Sequence, residues 1–294
     1  MAYFKTVRKL RTNFKPKVRH ASVLINGQET DSLSVFNRGL HYGDGIFETI
    51  AVHQGQPLLW ERHTKRLLES CKRLRLDWTD AATLREEASY LLQDVDHAIL
   101  KVLLSRHWEN RSYKAQSNQV DRILIRFNWH SHGDDIYHEG VNLFLCKTVL
   151  SHRPAIAGLK TLDRIEQVLA SQEWDDQDIF DGVMCDSQGK VIECTSANLF
   201  MVKKNVIYTS AVEHCGVAGI MRQLVLDIAK QLEMKVKITA FDSSALFKAD
   251  EVFITNSIFG VVPVAQIDAN TFNVGPVYES ISKGVAKERY PIDA

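Results

Sequence analysis

A lysine and a glutamate in the second half of the chain have the side chains best suited to chemistry. Lys160 lies in a loop of small residues just before an apolar-periodic segment, which predicts a helix after it. Glu193 lies at the end of a predicted β-hairpin, whose turn is formed by residues 186–189. Small polar residues follow this glutamate: Thr195, Ser196 and Asn198. The pattern therefore places an amine, a carboxylate and several small hydrogen-bonding groups at strand edges.

Pyridoxal phosphate chemistry requires this set of groups. A lysine amine forms a Schiff base with the cofactor aldehyde, and a carboxylate keeps the pyridine nitrogen protonated. A lone lysine and a lone glutamate are more often solvated surface charges, so the surrounding motifs must decide. Gly216 and Gly219 open a predicted helix over residues 217–232. Backbone N–H groups at such a helix start face anions, which makes Ile220 and Met221 candidate phosphate contacts.

Five separated motifs resemble the fold-type IV family of pyridoxal phosphate enzymes. They are NRGLHYGDGIFET at residues 37–49, ERH with Arg66 and Leu67 at 61–67, GLKTLDRIEQV at 158–168, GIMR at 219–222 and TNSI at 255–258. The family contains branched-chain and D-amino-acid aminotransferases and aminodeoxychorismate lyase. The resemblance extends over about residues 22–290, and the motifs occur in the family's order and spacing.

The resemblance implies an α/β (α+β) fold of two domains. The expected division is an N-terminal α+β domain at residues 21–149, a linker at 150–156 and a cofactor-binding domain at 157–294, which follow a basic extension at 1–20. Apolar periodicity predicts helices at residues 60–76 and 81–95 in the first of these domains. A hairpin is predicted there from residues 22–25 and 31–35, turning at Asn26-Gly27.

The resemblance also assigns roles to individual residues. Lys160 carries the cofactor and acts as the catalytic residue, Glu193 contacts the ring nitrogen and Arg66 binds the phosphate. The other expected cofactor contacts are Thr195, Ser196, Asn198, Ile220, Met221, Ser257 and Ile258. The expected substrate contacts are Phe47, Arg111, Tyr113 and Asn256. Arginine presents a planar fork that matches a carboxylate, so a small-molecule carboxylate substrate is expected.

Within the family, the run at residues 158–168 is most similar to that of the lyase. The implied reaction is elimination of pyruvate from 4-amino-4-deoxychorismate, giving p-aminobenzoate for folate biosynthesis. A D-amino-acid or branched-chain transaminase and a non-catalytic homologue remain alternatives. The lyase pattern usually has Asn where this chain has Asp163, and we expect Asp163 to act as a helix N-cap.

Composition restricts the remaining classes of function. The 36 basic and 36 acidic residues balance, but residues 1–20 hold seven Lys or Arg and no acid, and we expect a solvated extension. Five cysteines without a C-x-x-C pair indicate reduced thiols and a cytoplasmic protein. We expect no membrane span, no nucleic-acid partner and no metal, including at His130, His132 and His138. The family resemblance implies a homodimer.

Overall fold

Two β-sheets, each packed against helices, form the protein. The structure is a computed structural model that describes residues 22–108 and 111–290. The basic extension at residues 1–20 lies outside the described residues. No helix in the described part of the chain is long and apolar enough to cross a membrane.

The first sheet has six strands in the order β2-β1-β6-β5-β3-β4, and every neighbouring pair is antiparallel. The strands are β1 (Ser22–Ile25), β2 (Gln28–Glu29), β3 (Gly45–His53), β4 (Gln56–Pro57), β5 (Ala98–Arg106) and β6 (Val120–Asn128). The helices are α1 (Arg38–Tyr42), α2 (Trp60–Leu74) and α3 (Ala81–Leu91). Apolar residues such as Leu67 of α2 and Leu84 of α3 join strand residues such as Leu100 in one buried core. The two predicted helices are therefore present, and each ends somewhat earlier than expected.

The predicted hairpin at the start of the described chain is only half right. Its turn at Asn26-Gly27 is present, and Leu24 pairs with Glu29. Residues 31–35 form no strand, and most of them are exposed. A two-residue turn brings the residues directly after it opposite the first strand, so 28–29 take the place expected for 31–35.

The second sheet has nine strands and closes on itself. Its strands are β7 (Val141–Leu145), β8 (Ile179–Cys185), β9 (Val191–Cys194), β10 (Asn198–Lys203), β11 (Val206–Thr209), β12 (Lys235–Ile238), β13 (Glu251–Asn256), β14 (Gly260–Ile267) and β15 (Asn270–Thr271). They follow the order β12-β11-β10-β13-β14-β7-β8-β9, with β15 paired to β14. Because β9 also pairs with β10, the six strands from β10 to β9 form a closed ring.

Among the residues that the structure describes, five helices accompany the second sheet: α4 (Asp135–His138), α5 (Ile165–Ala170), α6 (Ile220–Gln231), α7 (Ser243–Leu246) and α8 (Pro276–Arg289). Helices α6 and α8 pack on one side of this sheet, where Leu224 and Ile281 share a buried cluster with Phe200 and Phe253. The rings of Phe200 and Phe253 stack with centroids 5.0 Å apart. This packing holds the start of α6 in place beside the strand ends.

The chain passes from the first sheet to the second between Asn128 and Val141. Strand β7 pairs in parallel with β14 and β8, so it belongs to the second sheet although it precedes the expected linker at residues 150–156. The division into domains at that linker stays a prediction. The segment after the linker runs back to the first sheet, where Phe47 N–H donates to Lys160 O at 2.9 Å and Leu162 N–H donates to Gly45 O at 3.0 Å. These two bonds hold the lysine loop against strand β3.

Candidate active site

A cavity of about 400 Å³ lies where the two sheets meet. This volume suits a small-molecule ligand. Strand β3 and helix α2 of the first sheet form one wall, and the lysine loop, the β9–β10 connection and the start of α6 form the rest. Most of the residues predicted from the sequence line it: Phe47, Arg66, Lys160, Glu193, Thr195, Ser196, Asn198, Ile220, Met221, Asn256, Ser257 and Ile258.

The Lys160 amine is held in the cavity above an aromatic ring. Its Nζ lies 4.4 Å from the centroid of the Phe47 ring, and Phe47 N–H bonds the Lys160 carbonyl. Burial first, and then the positive charge of Arg66, lowers the pKa of Lys160 to about 8. A lysine with such a pKa is partly neutral near neutral pH, and only the neutral amine acts as nucleophile or base.

Glu193 occupies the point at which the ring of strands closes. It pairs with Asn198 across β9 and β10, and its carboxylate accepts hydrogen bonds from Asn198 Nδ2 at 3.1 Å and from the Val217 N–H at 2.8 Å. The side chain is buried, and burial raises the pKa of Glu193 to about 7, against the effect of the Val217 bond. The carboxyl group is therefore fixed in direction and holds its proton tightly.

Arg66 belongs to a buried charge network with Glu48 and His63. Its Nε and Nη2 donate to the two oxygens of Glu48 at 2.7 and 2.5 Å, and the His63 Nδ1 lies 2.7 Å from Glu48 Oε2. Burial opposes ionisation of Glu48, but Arg66 and His63 together lower its pKa to about 2. The third nitrogen of Arg66 donates to Ala218 O at 2.9 Å, just before helix α6. Glu48 thus orients the predicted phosphate-binding arginine.

No role for Glu48 or His63 follows from the sequence pattern, although both lie inside motifs already described. A second buried acid, Asp181, was missed altogether. It accepts hydrogen bonds from Thr195 Oγ1 at 2.5 Å and from Ser196 Oγ at 2.7 Å. Its position in an apolar strand is the signal that could have revealed it, since a buried carboxylate needs donors.

The start of α6 and the turn after β13 form the opposite end of the cavity. Gly219 is the N-cap of α6, so the first N–H groups of this helix, including those of Ile220 and Met221, have no acceptor within the helix. In the β13–β14 turn, the Ser257 and Ile258 carbonyls accept hydrogen bonds from Arg289 at 2.7 and 2.6 Å. The Ile258 N–H donates to Asn256 Oδ1 at 2.9 Å, and the expected contacts of Ser257 and Ile258 with the cofactor stay predictions.

Two predicted substrate residues lie away from this cavity. Arg111 is exposed, and Tyr113 is 87% exposed, so neither lines the cavity of its own chain. The Arg111 carbonyl accepts a hydrogen bond from Tyr42, and the Tyr113 carbonyl accepts one from Arg38. Their role in substrate binding stays a prediction.

The expectation that Asp163 caps a helix is wrong. The N-cap position of α5 is Arg164, and Asp163 instead pairs with Arg153. The Asp163 carboxylate is therefore engaged with Arg153 rather than with the start of α5.

In the histidine-rich loop, the His132 ring packs with its centroid 5.3 Å from that of the Phe180 ring. No group of three or more metal-binding side chains occurs within residues 22–108 and 111–290.

The residues of the cavity fit pyridoxal phosphate. Lys160 supplies an amine of lowered pKa, Glu193 a buried carboxyl group, and Arg66 with the start of α6 a cationic and N–H-rich end. Gly219 has no room for a side chain, because a Cβ there would overlap Asn198 Oδ1. Gly219 also lines the cavity, and because it has no side chain, its backbone is the part that a ligand there would meet. Fold and cavity together define a fold-type IV pyridoxal phosphate enzyme.

Comparison with known families agrees with this class. Residues 45–267 match the model of the class IV amino-transferase family, which is most of the chain. The protein belongs to the class IV aminotransferase family.

Individual members of the family differ in how similar they are to this chain. The chain is 35% identical to an aminodeoxychorismate lyase of Vibrio harveyi over 256 residues, covering 83% of this chain and 91% of that protein. A crystal structure of 4-amino-4-deoxychorismate lyase from Pseudomonas aeruginosa is similar with a TM-score of 0.84 and 35% identity, over 90% of this chain and 98% of that one. A D-alanine aminotransferase of Bacillus licheniformis is 26% identical over 86% of this chain and 90% of its own. The lyases are thus more similar than this transaminase.

Proposed function

We propose that the protein is a 4-amino-4-deoxychorismate lyase that uses pyridoxal 5'-phosphate. The observation that carries this proposal is the partly buried Lys160, whose pKa is lowered to about 8, in a cavity that also presents Glu193 and Arg66. The 35% identity to the Vibrio harveyi lyase over most of both chains selects the lyase reaction within the family.

The chain's own residues would hold the cofactor at three places. Lys160 would bind its aldehyde, Glu193 would contact its ring nitrogen, and Arg66 with the N–H groups of Ile220 and Met221 would bind its phosphate; all of these residues line the cavity. When bound, pyridoxal phosphate supplies an electron sink for the carbon that bears the substrate amine. Thr195, Ser196 and Asn198 line the cofactor pocket, and Asp181 fixes the first two of them.

Lys160 is placed to move the proton in this reaction. Its neutral amine takes the proton from C4 of the substrate as a general base. The C4–H electron pair becomes part of the ring, the bond from the neighbouring carbon to the enolpyruvyl oxygen breaks, and enolpyruvate leaves. Protonation of enolpyruvate gives pyruvate, and the six-membered ring becomes aromatic. Atoms and electrons balance without an oxidant or an amino acceptor, and aromatisation makes the step effectively one-way.

We also propose that the active form is a cytoplasmic homodimer. Arg111 and Tyr113 are exposed on their own chain, so they are free to reach a neighbouring subunit's cavity and bind the substrate carboxylate there. Phe47 and Asn256 would contact the substrate from within the same chain. All five cysteines are free thiols, which supports a reducing compartment.

The test is incubation of purified protein, loaded with pyridoxal phosphate, with 4-amino-4-deoxychorismate. Equal amounts of pyruvate and p-aminobenzoate, formed without any 2-oxo acid, are the expected result. A transaminase remains the second candidate because the D-alanine aminotransferase covers 86% of the chain. If 4-amino-4-deoxychorismate is left unchanged and turnover of a D-amino acid requires 2-oxoglutarate, the transaminase replaces the lyase.

A further inference from the structure

Arg164 is a partly buried cation that lines the cavity four residues after Lys160. Its hydrogen bonds hold the guanidinium against the lysine loop: Nε donates to Thr161 O at 3.0 Å, and Nη2 donates to Thr161 Oγ1 at 2.8 Å and Leu159 O at 3.4 Å. All of these acceptors are neutral. Within the described part of the chain, Arg164 forms no ion pair with a carboxylate, and its Nη1 has no hydrogen-bond acceptor.

The acidic residues nearest to Arg164 in the sequence already form ion pairs with another arginine. Asp163 and Glu166 both pair with Arg153. The other arginine of the cavity, Arg66, differs from Arg164 because Glu48 neutralises it through two hydrogen bonds. Arg164 is therefore the arginine of this cavity whose charge is not balanced by a direct partner among the described residues.

The charge of Arg164 acts on the groups assigned to the cofactor. Burial lowers the pKa of Arg164, and the negative charge of Glu193 opposes this change. Arg164 in turn contributes to the lowered pKa of Lys160, after burial and Arg66. A partly buried guanidinium that has no carboxylate partner among the described residues favours an anion, so a ligand that brings an anionic oxygen to this position gains a charge-assisted hydrogen bond.

We infer that Arg164 binds an anionic oxygen of the molecules held in the cavity, either the phenolate of the cofactor or a carboxylate of the substrate. Both are oxygen anions that match the open face of a guanidinium. The inference adds a binding residue to those expected from the sequence, and it rests on the proposed function for the identity of the substrate. It also supplies a substrate-anion contact within the same chain, where Arg111 and Tyr113 supply none.

The experiment compares Arg164→Gln and Arg164→Lys with the wild type, and Arg153→Gln is the matched control. Arg153 lies on the same segment, but its guanidinium is satisfied by Asp163 and Glu166. Three quantities are measured: the Kd of pyridoxal phosphate for cofactor-free protein, the pH midpoint of the visible absorbance of the loaded protein, and KM and kcat for the substrate.

The two sources of the anion give different results. If Arg164 binds the phenolate, Arg164→Gln weakens pyridoxal phosphate binding about tenfold or more and raises the absorbance midpoint, because a cation that favoured the phenolate is gone. If it binds the substrate carboxylate, cofactor Kd and midpoint stay unchanged while KM rises about tenfold or more with kcat little altered. Arg164→Lys recovers part of the loss in either case, and it carries the test if the glutamine variant fails to fold.

The inference is overturned if cofactor Kd, absorbance midpoint and KM of both Arg164 variants stay within about twofold of the wild type. It is also overturned if Arg153→Gln produces the same losses, since the effect would then come from the segment as a whole. Failure of the proposed function looks different: the wild type would release no pyruvate from 4-amino-4-deoxychorismate. The cofactor measurements still decide the phenolate source in that case, and the substrate measurements are repeated with a D-amino acid and a 2-oxo acid.

Discussion

Lys160 shows how the surroundings of one side chain adjust its chemistry. An exposed lysine is almost fully protonated at neutral pH and reacts poorly as a nucleophile or base. Burial and the charge of Arg66 bring the pKa of Lys160 down to about 8. At a pH between about 8 and its ordinary pKa, the partly buried amine of Lys160 is mostly neutral, whereas the amine of an exposed lysine is mostly charged. The neutral amine is the form that attacks an aldehyde or accepts a proton, so the lowered pKa suits Lys160 to the covalent attachment and proton transfer that we propose.

We predict that Lys160→Ala leaves the protein folded but unable to attach pyridoxal phosphate covalently. Loss of the base should lower kcat by about 10³-fold. Borohydride reduction of the loaded wild type, followed by peptide mapping, should find the cofactor on Lys160. The control is Lys101→Ala, because the Lys101 Nζ also lies over the Phe47 ring, at 5.1 Å, outside the set of cavity residues. Trapping of the cofactor on any lysine other than Lys160 would contradict the assignment.

Glu193 makes the stability of the cofactor-free protein depend on pH. Its pKa is about 7 in the folded protein and 4.5 in its ordinary state. The folded protein therefore holds this proton more tightly than the unfolded chain does between pH 4.5 and 7. The free energy of unfolding falls as the pH rises through this window, and the loss is complete above pH 7.

Glu193→Gln removes this titration. We expect the cofactor-free variant to be more stable than the wild type above pH 7 by roughly 1–3 kcal/mol, with a difference close to zero near pH 4.5. Urea unfolding of both proteins at several pH values measures the effect. The same variant should bind pyridoxal phosphate more weakly, because the ring nitrogen loses its carboxylate. A stability difference that does not change with pH would show that Glu193 is not titrating as proposed.

Helix α6 illustrates how an element can be placed to serve a site. Its N-terminus lies at the cavity because α6 and α8 pack together on the sheet through Leu224, Ile281 and their neighbours. The glycine at its N-cap adds no side chain between the helix N–H groups and the cavity. Asn198 fills the adjacent space, donating to Glu193 and to the Val217 carbonyl.

Gly219→Ala should disturb this arrangement. The added Cβ overlaps Asn198 Oδ1, so either the amide or the start of α6 must move. We expect pyridoxal phosphate affinity to fall about tenfold, equivalent to roughly 1.4 kcal/mol. Equilibrium dialysis with cofactor-free protein measures this change. Gly133→Ala is the control, since a Cβ there meets nothing closer than Asp135 Oδ2 at 3.8 Å, and unchanged affinity in Gly219→Ala would disprove the close approach.

At the surface of the molecule, a group of apolar side chains next to helix α1 is exposed. Val35, Phe36 and Leu40 are 68%, 52% and 69% exposed, and the Phe36 ring stacks on Trp108 at 5.2 Å. A cluster of exposed apolar side chains is typical of an interaction site. Arg111 and Tyr113 are exposed near the same helix, since their carbonyls bond Tyr42 and Arg38. This surface supports the proposed homodimer.

We predict that the wild type sediments as a dimer and that Leu40→Glu shifts it toward a monomer, because a charge is costly to bury in an apolar contact. Activity should fall with the dimer, as the neighbouring Arg111 and Tyr113 would be lost from each cavity. Leu232→Glu is the control, because Leu232 is 46% exposed on the C-cap of α6, away from this surface. A monodisperse wild-type monomer with full activity would refute the dimer proposal.

Local pattern was sufficient to predict the main elements and the residues of the motifs. Helices α2 and α6 carry apolar residues at helical spacing, which predicts a helix directly. Lys160 and Glu193 were identified from the residues next to them in the sequence. The failures have local causes as well. Residues 31–35 have strand-like composition, but after a two-residue turn the residues that pair with β1 are 28–29. Asp163 forms an ion pair with Arg153 instead of capping a helix.

The amino-acid sequence by itself determined the family, most of the elements and most of the side chains that meet in the cavity, because these depend on residue type and spacing. Only the tertiary structure decided the charge state and orientation of those side chains. Arg66 meets Ala218 across 152 positions of sequence, and Glu193 reaches Val217 across 24. Burial and partners of this kind depend on how distant segments pack, and no local pattern records them. Arg164 was overlooked for the same reason, since only packing shows that its charge lacks a carboxylate partner.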